Sequence, residues 1–273
     1  YKFWPKNREN DKNLNFNVNT NNTDLQKIKE LIPSNYISKL ENYEFKGKSN
    51  FNLSYIDKYP NEAYIMVDFD LNQGLLKSKD VHFDMDAISL NGNYYYENLK
   101  SEENSEIILE NIKLKLNGEL FEAKAIIKGI NNPTLNIDFK TQFDLSKIKK
   151  LGYKHNFKSL YGKSKIEGNY NGKIGLKNKL TYDITMAEKT MDIYINNLNF
   201  KLDNKSPTLS KADLKLRLVN DNLNILSFKG NISEKSKINF VGGLENLFSY
   251  LFLKNTDLKI AGNLRSNHIM ANE

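Results

Sequence analysis

The sequence predicts a mainly β protein: one long, bent antiparallel sheet, a repeating β-groove, with a few short helices. Three observations predict it. The first is strict alternation. In the stretch 112–151, Ile112, Leu114 and Leu116 alternate with Lys113, Lys115 and Asn117, then Phe121, Ala123, Ala125 and Ile127 alternate with Glu122, Lys124 and Lys128 across an Asn117-Gly118 turn. Period two on both sides of such a dipeptide is a hairpin signal, and it gives each strand one apolar and one lysine-rich face. The second is rhythm: turn residues recur roughly every ten positions, as in a large antiparallel sheet. The third is repetition. Asp24-Leu25 and Lys27-Ile28 match Asp144-Leu145 and Lys147-Ile148, and each pair is followed by a Gly-Lys-Ser strand, at 47–49 and 162–164. A weaker echo relates the hairpin at 212–232 to that at 112–130, so the chain reads as one continuous region built from units of about 14–143 and 144–266.

Taken in order, residues 1–13 hold the lone tryptophan, Trp4, and carry no assignable element. A strand at 14–20 leads into a helix at about 24–31, ended by Pro33, with a further helical turn through Ile37 and Leu40. Strand 45–55 follows, closed by Tyr59-Pro60-Asn61. Strands 63–71 and 81–90 share one design, with Ile65, Val67, Phe69 and Leu71, then Val81, Phe83 and Met85, opposite Asp68, Asp70, Asp84 and Asp86. Asn91-Gly92 leads to the tyrosines at 94–96, and 100–106 reads as a charged loop. After the hairpin, Asn131-Asn132-Pro133 interrupts the sheet, Leu135, Ile137 and Phe139 restart it, and the following DLSKIKKL has helical spacing. Strands are expected at 160–168, 170–176, 179–186, 191–202, 212–219, 223–230, 236–241 and 257–264. A parity change between Ile195 and Leu198 predicts a bulge near Asn196-Asn197. A helical turn or two starts from the Gly242-Gly243 pair.

Composition bounds the function. Of 273 residues 39% are hydrophobic, enough for an ordered fold, while the low mean hydropathy suits a sheet with one wet face. The net charge of +7 comes from 40 basic residues spread through strands that also carry many of the 33 acidic ones. This reads as a solvated face with weak attraction for anionic headgroups; no basic block points to nucleic acid. Cysteine is absent, which removes disulfides and thiolate metal sites. The most apolar run, 247–253, is far shorter than the ~20 residues of a membrane-spanning helix. The chain starts at Tyr1 in what reads as the middle of a pattern, so it is expected to be a piece of a longer polypeptide.

The chemistry-bearing motifs are weak. Asp68 with Asp70, and Asp84 with Asp86, stand on the polar side of strands, and no Gly-containing loop with a distal Glu follows them as in a Ca²⁺ hand. The two Gly-Lys-Ser triplets lack the first glycine of a phosphate loop, since Asn42 and Phe157 stand there, and they open strands instead of helices. His82, His155 and His268 are isolated. Tyr94, Tyr95 and Tyr96 could stack on a sugar, but aromatics alternating along a strand ordinarily pack a sheet. No nucleophile has an evident base. No cofactor is expected, and the chain is not expected to be an enzyme.

One physical problem remains. About a dozen strands present a continuous apolar face, and the helices are too few and short to cover it. That face must fold on itself, meet another chain, or hold an apolar ligand.

The order NNPTLNIDFKTQFDLSKI, YGKSKIEGNYNGKIG, MDIYINNLNFKL, LKLRLVNDNLNILSFKGNI, FVGGLENLFSYLF, LKIAGNLRS resembles the C-terminal region of AsmA-like envelope proteins of the Bacteroidota type, over roughly 14–266. The pattern of glycines, Asn-Pro and alternating leucines carries the likeness through its order. The N-terminal membrane helix of that family is missing here. The resemblance, shared with TamB and the chorein-type bridges, implies a bent sheet whose groove carries phospholipid acyl chains between inner and outer membranes. It implies a periplasmic location, an inner-membrane anchor outside this chain, and membranes or envelope proteins as partners, without nucleic acid. The expected groove-lining residues are Leu114, Leu116, Phe121, Ile127, Ile137, Phe139, Ile184, Ile193, Leu214, Leu216, Ile225, Ile238 and Phe240. The alternative is a structural or assembly module of an envelope complex whose apolar face is covered by protein.

Overall fold

The computed structural model describes residues 14–29, 43–58, 62–78, 84–97, 104–129, 132–147, 157–174, 180–232, 236–253 and 256–267. Trp4, the turn through Ile37 and Leu40, Val81, Phe83 and all three histidines lie outside them. Thirteen strands form a single antiparallel sheet in strict sequence order. They are β1 (Leu14–Asp24), β2 (Tyr43–Lys58), β3 (Glu62–Ser78), β4 (Asp84–Glu97), β5 (Ser105–Leu116), β6 (Glu119–Lys128) and β7 (Thr134–Asp144), then β8 (Ser159–Lys173), β9 (Glu188–Lys201), β10 (Leu209–Val219), β11 (Asn222–Ile232), β12 (Ser236–Glu245) and β13 (Lys259–Ser266). Among the described residues three short helices, α1 (Leu25–Lys29), α2 (Leu180–Met186) and α3 (Leu247–Phe252), sit in the connections. The sheet does not close, and among the described residues β1 and β13 each pair on one side only.

Alternation dictates this arrangement, and the turns fix its register. Asn117 and Gly118 both have positive φ, 51° and 82°, the geometry of a two-residue turn whose twist matches the flanking strands. Leu114 then stands opposite Phe121, and Lys113 opposite Glu122. The predicted echo has a structural counterpart. Asp24 accepts the Gln26 N–H and Asp144 the Ser146 N–H, both at 2.9 Å, so each aspartate starts the turn that follows its strand. Gly47 and Gly162 share φ near +140°, each where the pairing slips by one residue, and Ser49 and Ser164 are both buried. The Gly-Lys-Ser triplets thus face bulges in the next strand, at Gln73 and Asn197, and each carries a buried serine hydroxyl, which donates to the Asp70 carbonyl from Ser49 and to the Phe143 carbonyl from Ser164.

Bulges bend the sheet. Asn22, Gln73, Ala87, Asn111, Asn197 and Lys211 adopt positive φ inside strands, at the slips of register in β1, β3, β4, β5, β9 and β10. With Gly47 and Gly162 they fall on the half of the sheet nearer to α1, in β1 to β5 and again in β8 to β10, with β6 and β7 regular between them. Neighbouring bulges nest: a Cβ on Gly47 would lie 2.9 Å from the Gly74 Cα. An extra residue kinks the strand that carries it and bends the sheet at that point.

Several expectations need correction. Residues 179–186, read as a strand, form α2 from Leu180 onward, and Ile184 is therefore no sheet residue. Leu180 and Ile184 satisfy helical i, i+4 spacing as well as alternation, and Lys189 satisfies the carbonyls at the helix end. The strands expected at 160–168 and 170–176 are one strand, β8. The helix after Asp144 is a single tight turn at 145–147 within the described residues. Gly242-Gly243 continue β12 instead of opening a helix, Asn91-Gly92 lie within β4, and the charged loop yields Ser105 and Glu106 to β5. The bulge at Asn196-Asn197 is present, with Asn197 at φ 52°.

Candidate functional site: an uncovered apolar face

Directly opposed residues in an antiparallel pair share a face, so the register assigns every strand residue to one side. One row runs Phe121, Thr141, Ile166, Ile193, Leu216, Ile225, Gly242, Gly262 across β6 to β13. The adjacent row runs Ala123, Phe139, Gly168, Met191, Leu218, Leu223, Leu244, Ile260. Twelve of the thirteen expected lining residues lie on this one face. Leu116 stands opposite Met85, Ile127 opposite Leu135, Ile137 opposite Ala125, Leu214 and Phe240 both opposite Phe228, and Ile238 opposite Gly230. The exception is Ile184 on α2, whose carbonyl accepts a hydrogen bond from Lys189.

The face reaches further than those residues. Ile65, Val67, Phe69 and Leu71 of β3 oppose Tyr55, Leu53, Phe51 and Ser49 of β2, and Phe16 and Val18 of β1 extend it to the edge. Tyr94 and Tyr96 belong to it, whereas Tyr95 points to the polar side with Tyr64. The signal for this N-terminal part was the same alternation that marked the rest.

Small residues let large ones lie flat. A Cβ on Gly92 would come 2.9 Å from the Phe69 ring, one on Gly168 2.8 Å from Met191, and one on Gly262 2.5 Å from Phe240. Leu114, Leu216 and Ile238 are buried by such lateral packing, although the substantial strand contacts are all between sequence neighbours and no second sheet lies above among the described residues. Two clusters result, one around Ile88, Ile112, Leu114 and Ala125, the other around Leu198 and Ala212. Leu145, 4% exposed, reaches over the second from the tight turn after β7.

The opposite rim is tied by polar groups. Lys189, 2% exposed, donates from Nζ to the carbonyls of Ile184, Thr185 and Ala187 at 2.7, 3.2 and 3.1 Å, terminating α2, and lies 4.9 Å from the Phe248 ring centre of α3. Burial pushes its pKa down, against the opposing pull of Asp221. Asp221 accepts the Phe248 and Ser249 N–H groups at the start of α3. The one connection thus holds both helices over one end of the face.

The other side of the sheet is mainly polar, with Met66, Ile126 and Val241 among its scattered apolar residues. Lys124–Asp138, Lys128–Glu106, Lys140–Glu122 and Arg217–Asp192 bridge neighbouring strands. Shallow open depressions of about 640 and 590 Å³ lie here, the first among Lys113, Glu122, Lys140 and Glu167, the second among Asn50, Asn52, Asp68, Asp70, Asn91 and Asn93. Asp70 accepts from the amides of Asn50 and Asn72, and Asp68 from that of Asn93. The described residues hold no group of three or more His, Cys, Asp or Glu placed to share a metal ion, and no helix long and apolar enough to cross a membrane. What the arrangement offers chemically is apolar contact along one face and charge on the other. Comparison with family models, curated proteins and solved structures finds no match to this chain.

Proposed function

We propose that this chain is a non-catalytic lipid-binding conduit of the cell envelope, holding phospholipid acyl chains along its apolar face while headgroups stay in water. The observation that carries the reading is the one apolar face, with no second sheet layer over it among the described residues, on which all twelve strand-borne lining residues stand. Thirteen strands at ~4.8 Å spacing give it a length of about 58 Å. With even eight-residue strands its projected area is on the order of 1,500 Å²; Leu114, Leu216 and Ile238 are buried by their neighbours, while Phe16, Val18, Ile260 and Leu264 on its outermost strands are exposed. Acyl chains offset that exposure at ~0.8 kcal/mol per buried CH₂. The likeness to AsmA-like proteins supports the same reading and adds the periplasm, transfer between two membranes and an anchor outside this chain.

The open edges of β1 and β13 favour a second reading, an assembly module covered by a protein partner, because an unpaired edge accepts another strand. Native mass spectrometry of the gently purified chain, with organic extraction, separates the two. Reproducible phospholipid at more than trace stoichiometry is expected. A folded, lipid-free chain would sink the conduit and leave the assembly module.

A further inference from the structure

Strand reversal sorts the charges of this chain in a way that the linear order hides. On the rim nearer to α1, the C-terminal half of the sheet gathers Lys163, Lys201, Lys205, Lys211, Lys237 and Arg265, which come from the starts of β8, β10 and β12, the ends of β9 and β13, and the connection after β9. Several cations elsewhere on the polar side are matched, as in Lys124–Asp138, Lys140–Glu122 and Arg217–Asp192. These six have no ion-pair partner among the described residues. The nearby carboxylates are engaged chiefly by hydrogen bonds: Asp203 accepts the Lys205 and Ser206 N–H groups and the Ser206 hydroxyl, Asp213 the Asn197 N–H, and Asp144, opposite Lys163, the Ser146 N–H, with only a weaker pull from Lys201 on Asp203 and from Lys163 on Asp144.

Two apolar side chains stand inside this band. Tyr161, on the polar side opposite Asn199, is 58% exposed, and Leu202, next to Lys201, is 52% exposed. The Leu202 carbonyl accepts the Lys158 N–H, which holds the start of β8 against the end of β9 and brings Tyr161 and Leu202 to one stretch of rim. We infer that this rim docks on the surface of a bilayer containing anionic phospholipid. The band crosses six strands, about 24 Å, and a planar array of phosphates can meet all of it at once. Lysine near such a surface contributes about 1 kcal/mol each, and an exposed tyrosine and leucine beside the lysines settle at the headgroup level. A soluble polyanion would match the charge but leave Leu202 in water. This surface lies on the outside of the sheet, and the inference does not depend on the apolar face holding lipid.

The test is flotation of the full chain with vesicles of phosphatidylcholine alone and with about three parts in ten phosphatidylglycerol, at about 100 mM salt, where screening acts over ~10 Å. Binding is expected to the anionic vesicles only. Joint reversal by Lys163→Glu, Lys201→Glu, Lys211→Glu and Lys237→Glu should weaken it by at least about a hundredfold. Reversing the same number of exposed lysines off the band, by Lys48→Glu, Lys77→Glu, Lys115→Glu and Lys173→Glu, should retain most of the binding. Tyr161→Ser with Leu202→Ser should weaken it by about tenfold at unchanged charge. Equal binding to the neutral vesicles, or equal loss from the two reversals, overturns the proposal. An unaffected serine pair also overturns it, by making the band a general polyanion surface. Circular dichroism of every variant, and bound lipid measured on each by mass spectrometry, keep a failed rim distinct from a failed fold or an empty groove.

Discussion

Leu216 and Arg217 are neighbours in β10 and face opposite ways, so the two-sidedness of the sheet can be tested with one substitution at each. Leu216 is 9% exposed, between Ile193 of β9 and Ile225 of β11. Leu216→Asp removes a buried leucine, worth about 2 kcal/mol, and places a carboxyl among apolar neighbours at a further cost of about 1–3 kcal/mol. A destabilisation of about 3–5 kcal/mol is expected, with loss of any bound acyl chain beside it. Arg217→Asp breaks the exposed bidentate pair with Asp192, whose two bonds are 2.7 and 2.9 Å, and should cost far less because surface pairs are screened. Because each strand contacts its sequence neighbours, the loss of protection in Leu216→Asp should be greatest in β9 to β11 and fade toward β2 to β4, as in a linear array. Urea titration gives the size and amide hydrogen exchange the reach. A Leu216→Asp variant as stable as the parent, or an Arg217→Asp variant destabilised as much as Leu216→Asp, would refute the face assignment.

Other outcomes follow from the packing and the charges. Gly230 faces Ala212, which is fully buried, and a Cβ there would lie 2.6 Å from the Ala212 Cβ; Gly230→Val should lower the melting temperature, and adding Ala212→Gly should recover part of the loss. Glu122, Asp144, Asp192 and Asp203 are held below the ordinary carboxylate pKa, chiefly by hydrogen bonds from Lys140, Ser146, Arg217 and Ser206. Between the folded and unfolded pKa values the unfolded chain binds more protons. Stability is therefore full above about pH 4 to 5 and falls as pH drops through the folded values, which acid titration followed by circular dichroism will register. Lys189 acts with the same sign in an alkaline window: its folded pKa is depressed, so its contribution to stability should rise as pH climbs toward the usual lysine value near 10.4, and Lys189→Met should flatten that rise in an alkaline titration.

Most of this sheet was legible because a residue's parity along a strand is its face, and one apolar side survives every turn. The lining residues from Leu114 to Phe240 needed nothing more. α2 was misread because Leu180, Tyr182 and Ile184 alternate like a strand; the Lys189 ammonium on its final carbonyls and the nearby Phe248 ring are contacts that no local pattern announces. Bulges were legible where an asparagine pair broke parity at 196–197. At Gln73, Ala87 and Lys211 they were not, since a positive φ there has no compositional mark and only the register exposes it. The basic rim was hidden for a different reason. Reversal at each turn brings Lys163, Lys211 and Lys237 to the same side as Lys201 and Arg265, while in the linear order they are interspersed with acids.

The central claim is that the apolar side of the sheet holds acyl chains, and site-specific photocrosslinking in cells tests it most directly. A benzophenone side chain placed at Phe139, on the apolar face, or at Lys140, on the polar one, differs by one residue in position and by a whole face in surroundings. Lipid crosslinked from position 139 and none from position 140 is the predicted result. Protein adducts at 139 without lipid, or equal lipid capture from both positions, would contradict it.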